Sequence, residues 1–280
     1  MLVMEPFARE TSLLRTNPSG ICTSQTRAAE AGNGGKYVVF TSVSEEQLTT
    51  IDKLCNDHYK RLRFMYLEDQ QPLIVKIMAS KLHEVVHRKF EYMLHGKAAQ
   101  MGLCDDLGKI GGARHQGNSS RKEPDSYYIP RSSVLAGAAP WPTLAVESGV
   151  SETIERLRVD AHWRTTNSSG AVNIVLVFSV NKANRIIGIE QWESGSVIYR
   201  RSPRLNPLNP LGPPSTSIEP KCVRIITIPR PEDHEHSLVL DFGKVFDRDP
   251  DQAEDSLESD FEFTPADLSR LAANIWFYGS

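Results

Sequence analysis

Residues 143 to 180 read TLAVESGVSETIERLRVDAHWRTTNSSGAVNIVLVFSV, and this stretch decides the fold. Thr143 to Glu147 is an apolar run that ends in a charge, and Val172 to Val180 is a longer run of β-branched and aromatic residues; both have the composition of strands. Between them Ser151 is placed to cap a helix, Ile154, Leu157 and Ala161 form one apolar stripe, and Asn167-Ser-Ser-Gly170 ends it. Strand, helix, strand in this order predicts a βαβ crossover with parallel strands.

Working outward, Arg185 to Glu193 (RIIGIEQWE) is expected to pair with the preceding strand through the Asn181 to Asn184 turn, and Ser126 to Ile129 reads as a strand upstream. From Pro72 to about His95, apolar residues at Ile74, Met78, Leu82, Val86, Phe90 and Met93 recur every three or four positions, which predicts one long amphipathic helix. Its opposite face carries Lys81, His87, Arg88 and Lys89. Downstream, residues 202 to 220 are proline-rich and read as a long loop. Val223 to Ile228 and Ser237 to Phe242 read as strands. Asp247 to Glu262 holds eight carboxylates against Arg248 alone and reads as a mobile acidic loop, and Thr264-Pro265 opens a last helix to Trp276 with Asp267 in its first turn. Residues 1 to 36 lack either period and read as a disordered tail. Residues 37 to 70 form an accessory unit: a β-rich run, Lys36 to Thr41, and a helix to about Met65 that opens on a Ser44/Gln47 capping box. Residues 71 to 280 then form the main domain, α/β (α+β) with a mixed central sheet flanked by helices, its core at 73 to 193 and a C-terminal extension.

At 280 residues, 40% hydrophobic and 24% charged, the chain can bury a sizeable core without disulfides or metals. No apolar run is long enough to span a bilayer, and Glu5, Arg9 and Glu10 stand where a signal peptide needs its apolar centre, so an intracellular location, cytoplasmic or nuclear, is expected. Cys22, Cys55, Cys104 and Cys222 are too scattered for a zinc knuckle or a disulfide framework. The net charge of -3 hides a basic middle. Residues 53 to 122 carry 13 Lys/Arg against 7 Asp/Glu, which fits either a nucleic-acid partner or a solvated helix face. Neither GxSxG nor GxxxxGK[ST] occurs, which removes the commonest hydrolase elbow and phosphate loop.

Two acids remain as site candidates. Asp125 stands in Glu123-Pro124-Asp125 at the mouth of one strand, and Glu147 closes the next, where a buried charge needs a partner. Hard oxygens at adjacent strand ends suit Mg²⁺ or Mn²⁺, so Asp125 and Glu147 are the expected metal ligands. Glu147 is equally readable as a strand-end residue with a structural partner such as Arg158.

In these residues the chain resembles the restriction-endonuclease-like superfamily, written PD-(D/E)XK, over about residues 73 to 193. Pro124-Asp125 matches its Pro-Asp pair and Glu147 its second acid. The stretch WPTLAVESGVSETIERLRVDAHW (141 to 163) is also similar to uncharacterised fungal proteins associated with that fold. The resemblance implies a metal-dependent nuclease acting on phosphodiester bonds, or a non-catalytic scaffold that keeps the fold. Gly149 departs from the pattern, because it stands where the family has a lysine. Arg158, about 70° from the centre of the apolar stripe, is the expected substitute cation that steadies phosphate charge; its high pKa bars it from acting as a base. Glu84 is the positional match for the family's first-helix glutamate. Asp160 is expected to pair with a neighbouring arginine, Trp163 to join the core, and Glu232-Asp-His-Glu-His236 to be a solvated turn.

Overall fold

The computed structural model describes residues 26–31, 35–58, 62–67, 71–77, 81–109, 115–116, 120–122, 125–136, 141–150, 153–199, 215–229 and 237–279. The described residues begin with an antiparallel pair, β1 (Thr26–Ala31) and β2 (Gly35–Phe40). Helix α1 (Glu45–His58) follows and opens on the capping box: the Gln47 N–H donates to Ser44 Oγ at 3.2 Å, and the Ser44 N–H donates to Gln47 Oε1 at 2.9 Å. Strands β3 (Leu62–Leu67) and β4 (Leu73–Ile77) extend the first sheet, with β4 between β2 and β3.

Three expectations are corrected here. Residues 26 to 31 and 35 to 36 lie in strands rather than in a disordered tail, since cross-strand pairing supplies what local periodicity lacks; residues 1–25 lie outside the described residues. The helix expected to reach Met65 stops at His58, because residues 62–67 pair with both neighbours in the sheet. The long helix expected from Pro72 begins only at Lys81. Ile74 and Leu82 are eight residues apart by coincidence of phase, while Ile74 and Val75 have the strand preference of β-branched residues, and Leu73 and Val75 lie buried in a small core with Val43, Leu48 and Tyr66.

Helix α2 (Lys81–Gln100) leads to β5 (Leu107–Lys109), after which β6 (His115–Gln116) and β7 (Ser120–Lys122) return to the first sheet beside β3. The boundary drawn between residues 70 and 71 therefore runs through this sheet. Strand β8 (Ser126–Pro130), the short α3 (Arg131–Leu135), β9 (Leu144–Val150), α4 (Ile154–Asn167) and β10 (Ile174–Asn181) come next. They are followed by β11 (Ile186–Tyr199) and β12 (Ser215–Ile228). The second sheet has the order β12-β11-β10-β9-β8-β5. It is mixed: β9 and β10 run parallel, Leu144 opposite Ile174 through Val150 opposite Val180, and the other pairs are antiparallel. The predicted crossover is present, and the fold is mixed α/β with helices on a central sheet. Residues 215 to 220, expected in a loop, belong to β12. Pro220 is tolerated there because β12 is an edge strand and needs no outward donor.

The last segment holds β13 (Leu238–Leu240), α5 (Phe242–Phe246), β14 (Phe261–Phe263) and α6 (Pro265–Gly279). Phe242, expected to end a strand, starts α5 because Asp241 caps it, accepting from the Lys244 N–H at 2.8 Å. The acidic loop is laced down: Arg248 donates twice to Glu258 at 2.6 Å, and the Asp251 N–H donates to the same carboxylate at 2.7 Å. Among the described residues no helix is long and apolar enough to cross a membrane.

Side chains alternate across β9 and β10 and so build two cores. Leu144, Val146, Leu176 and Phe178 pack with α2, α5 and α6, where Phe90 lies 5.3 Å from the Phe178 ring and 5.4 Å from Phe263. Each such fully buried side chain contributes about 1.5–3 kcal/mol. Ala145, Val175 and Val177 face the other way, against Leu157 and Ala161 of α4. α2 and α4 thus cover opposite faces of the strand pair that carries Glu147.

Candidate functional site

The sheet meets α2 at a buried polar cluster. His83 and His87 are four residues apart and so project from one side of the helix. Both are buried, and the Asp125 side chain at the mouth of β8 is only 3% exposed. His83 Nε2 lies 3.1 Å from Asp125 Oδ2 and 3.1 Å from the main-chain oxygen of Ser148. Because the carbonyl can only accept, His83 Nε2 carries the proton. In the neutral ring Nδ1 then accepts, and His87 Nε2, 2.8 Å away, donates to it. His87 Nδ1 is left to accept from Ser126 Oγ at 3.4 Å. The Ser148 N–H donates to Asp125 Oδ2 at 2.8 Å and fixes the carboxylate. One donor atom from each of His83, His87 and Asp125 lies within 4.8 Å of the others, so this group can hold a metal ion.

Asp125 is therefore in the cluster, but the other two expected site residues are engaged elsewhere. Alternation along β9 turns Ser148 toward α2, its Oγ 3.4 Å from His87 Nε2, and sends Glu147 toward α4. There Arg164 Nε donates to Glu147 Oε1 at 2.7 Å, with both side chains no more than 3% exposed. Asp125 and Glu147 thus bond to helices on opposite faces. Arg158 is neither beside Glu147 nor beside Asp125. It grips Glu190 of β11, with Nη2 to Oε1 at 2.6 Å and Nε to Oε2 at 3.1 Å, and Trp192 Nε1 donates to the same carboxylate at 2.9 Å. The Glu190 carboxylate holds the Arg158 guanidinium pKa above its ordinary value. Glu84 is partly exposed and pairs with Arg88 at 3.7 Å, away from the cluster. Trp163 is buried, 5.9 Å from the Trp141 ring, as expected of a core residue. Asp160 is buried on α4. Glu232 to His236 lie outside the described residues, as do Pro124 and Ser151.

Three contributors went unread in the sequence: His83, Ser126 and Ser148. The sequence groups His87 with Lys81, Arg88 and Lys89 on the basic face of the helix, and it is buried instead. The available signal was the His83-x-x-x-His87 spacing. It was hidden because the buried arc of α2 is wide, taking in Leu82, Val86, Phe90 and Leu94 against both the sheet and α6. Comparison with protein-family models and with curated proteins finds no match for this chain.

Proposed function

We propose that this chain is a non-catalytic binding protein on a fold of restriction-endonuclease-like type, and that its ligand is nucleic acid, engaged through the exposed side of α2. The observation that carries the first half is the Glu147–Arg164 pair: a carboxylate neutralised by a buried guanidinium at 2.7 Å is not available to share Mg²⁺ or Mn²⁺ with Asp125. Freeing it would strand a buried arginine. Gly149 supplies no cation beside it, and Arg158 is committed to Glu190.

The second half is supported by the surface. Lys81 and Arg88 are exposed on α2, and Lys89 Nζ sits 3.9 Å from the centre of the Tyr278 ring on α6. Tyr92, Phe277 and Tyr278 are exposed at 79%, 75% and 46%, and Arg185 lies 5.2 Å from the Trp276 ring. Cations interleaved with exposed rings suit a single strand, whose phosphates and bases they meet separately.

Fluorescence anisotropy with labelled oligo(dT) and oligo(U), titrated between roughly 50 and 200 mM salt, tests this. Affinity should fall steeply with salt, and the triple change Lys81→Ala, Arg88→Ala, Lys89→Ala should flatten the slope by up to about three phosphate contacts. Incubation with Mg²⁺ or Mn²⁺ should leave single- and double-stranded DNA and RNA uncut. Salt-insensitive or absent binding removes the nucleic-acid ligand, and metal-dependent cleavage that vanishes in Asp125→Ala restores phosphodiester hydrolysis.

A further inference from the structure

We infer that His83, His87 and Asp125 form a binding site for a transition-metal dication of the Zn²⁺ class, independent of the nucleic-acid surface. The donor chemistry selects the ion. Mg²⁺ takes hard oxygens and dehydrates reluctantly, whereas imidazole nitrogen suits zinc and its neighbours, and two histidines with one carboxylate leave room for a fourth ligand in a tetrahedral shell.

The spacing selects the residues. His83 Nε2 and Asp125 Oδ2 are 3.1 Å apart, close to the separation of two ligands that each lie about 2.1 Å from one ion. The three donors come from α2 and the mouth of β8, which the fold already holds together, and the Ser148 N–H donates to the same Asp125 Oδ2 and fixes the carboxylate, as outer partners do at metal centres. Burial of His83 and His87 below 6% exposure keeps bulk water from competing.

The hydrogen-bonded chain described above is the metal-free arrangement of the same atoms. On binding, each histidine proton would move from Nε2 to Nδ1, that of His87 turning toward Ser126 Oγ, the His83–His87 hydrogen bond would open, and both Nε2 lone pairs would be free for the ion. Each neutral ring keeps one N–H, so the exchange balances without a net proton.

Full-length protein stripped with chelator and titrated with ZnCl₂, CoCl₂ and MgCl₂ provides the test, read by calorimetry, by melting temperature and by the visible absorption of Co²⁺. Zn²⁺ should bind one ion per chain and raise the melting temperature, Co²⁺ should give the intense bands of a four-coordinate nitrogen-bearing site, and Mg²⁺ should do neither. His83→Ala could unfold the cluster, so the deciding variants are His87→Asn and Asp125→Asn, checked for native circular dichroism. Each should lose Zn²⁺ affinity by more than about 10-fold while folded. Equal Zn²⁺ affinity in wild type and both variants would place the ion elsewhere. No Zn²⁺ binding to the folded wild type would leave the cluster a proton-sharing network. A Mg²⁺ effect lost in Asp125→Asn and kept in His87→Asn would overturn the nitrogen-ligand class. None of these outcomes depends on oligonucleotide binding.

Discussion

Glu147 faces α4, away from Asp125, and its charge is met there by Arg164, a pairing that is within reach of the sequence. Arg164 is seven residues after Leu157, which returns it to within about 20° of the apolar stripe that Leu157 and Ala161 define. An arginine in phase with a buried stripe needs a buried acid, and Glu147 is the acid that the preceding strand offers. Arg158, at the edge of the stripe, reaches past β10 to Glu190 instead. The apolar stripe stops at Ala161, and the charge of Arg164 hides a helical phase that places it on the same side as Leu157. Arg164→Ala should cost about 3–5 kcal/mol, the usual penalty for stranding a buried charge, and the double change Glu147→Leu, Arg164→Met should cost less than Arg164→Ala alone. Urea unfolding measures both; an unchanged midpoint in Arg164→Ala would mean that the pair is not desolvated.

At the scale of elements, what was legible was what is local. The capping box of α1, the β9-α4-β10 crossover and the start of α6 at Pro265 each rest on a few consecutive residues, and each is present. The join between β4 and α2 is hard to read, because Leu73–Ile77 and the following helix keep one apolar phase, and against it stand only the β-branched Ile74 and Val75 and the pairing of β4 with β2 and β3. The packing of α2 against α6 was equally hidden, and two glycines report on it. A Cβ on Gly279 would fall inside contact distance of the Leu82 side chain and 3.3 Å from its Cα, next to His83, whereas a Cβ on Gly96 would meet nothing within 4 Å. Gly279→Ala should therefore destabilise by roughly 1–3 kcal/mol through overpacking, and Gly96→Ala should stabilise by about 0.5–1 kcal/mol through helix propensity. Opposite shifts in melting temperature are expected; a gain in both would mean that the end of α6 does not lie against α2.

For the whole molecule, the order of the chain and the order in space diverge, and this has a consequence for dissection. The first sheet draws on residues 26 to 77 and then on β6 and β7 at 115 to 122, so the chain visits the second sheet at β5, returns to the first, and only then builds β8. A break after residue 70 looks natural in the sequence because Gln70-Gln71-Pro72 separates two apolar runs. In space it removes β1, β2 and β3 and leaves β4 without either neighbour. Leu73 and Val75, 0% and 6% exposed, would then face water together with a bare strand edge, the arrangement that favours association between chains. A chain beginning at residue 71 should accordingly elute as oligomers or precipitate. A chain beginning at residue 81, with residues 110 to 124 replaced by a short Gly/Ser linker, sheds the first sheet cleanly. It keeps α2, the whole β12-β11-β10-β9-β8-β5 sheet and the core around Phe90, and it should melt cooperatively as a monomer. Size-exclusion chromatography and a circular dichroism melt of the two chains decide the matter. If the longer one is monodisperse with the melting temperature of the full chain, the small core of Val43, Leu48, Tyr66, Leu73 and Val75 contributes nothing to stability, and β4 does not need the partners the fold gives it.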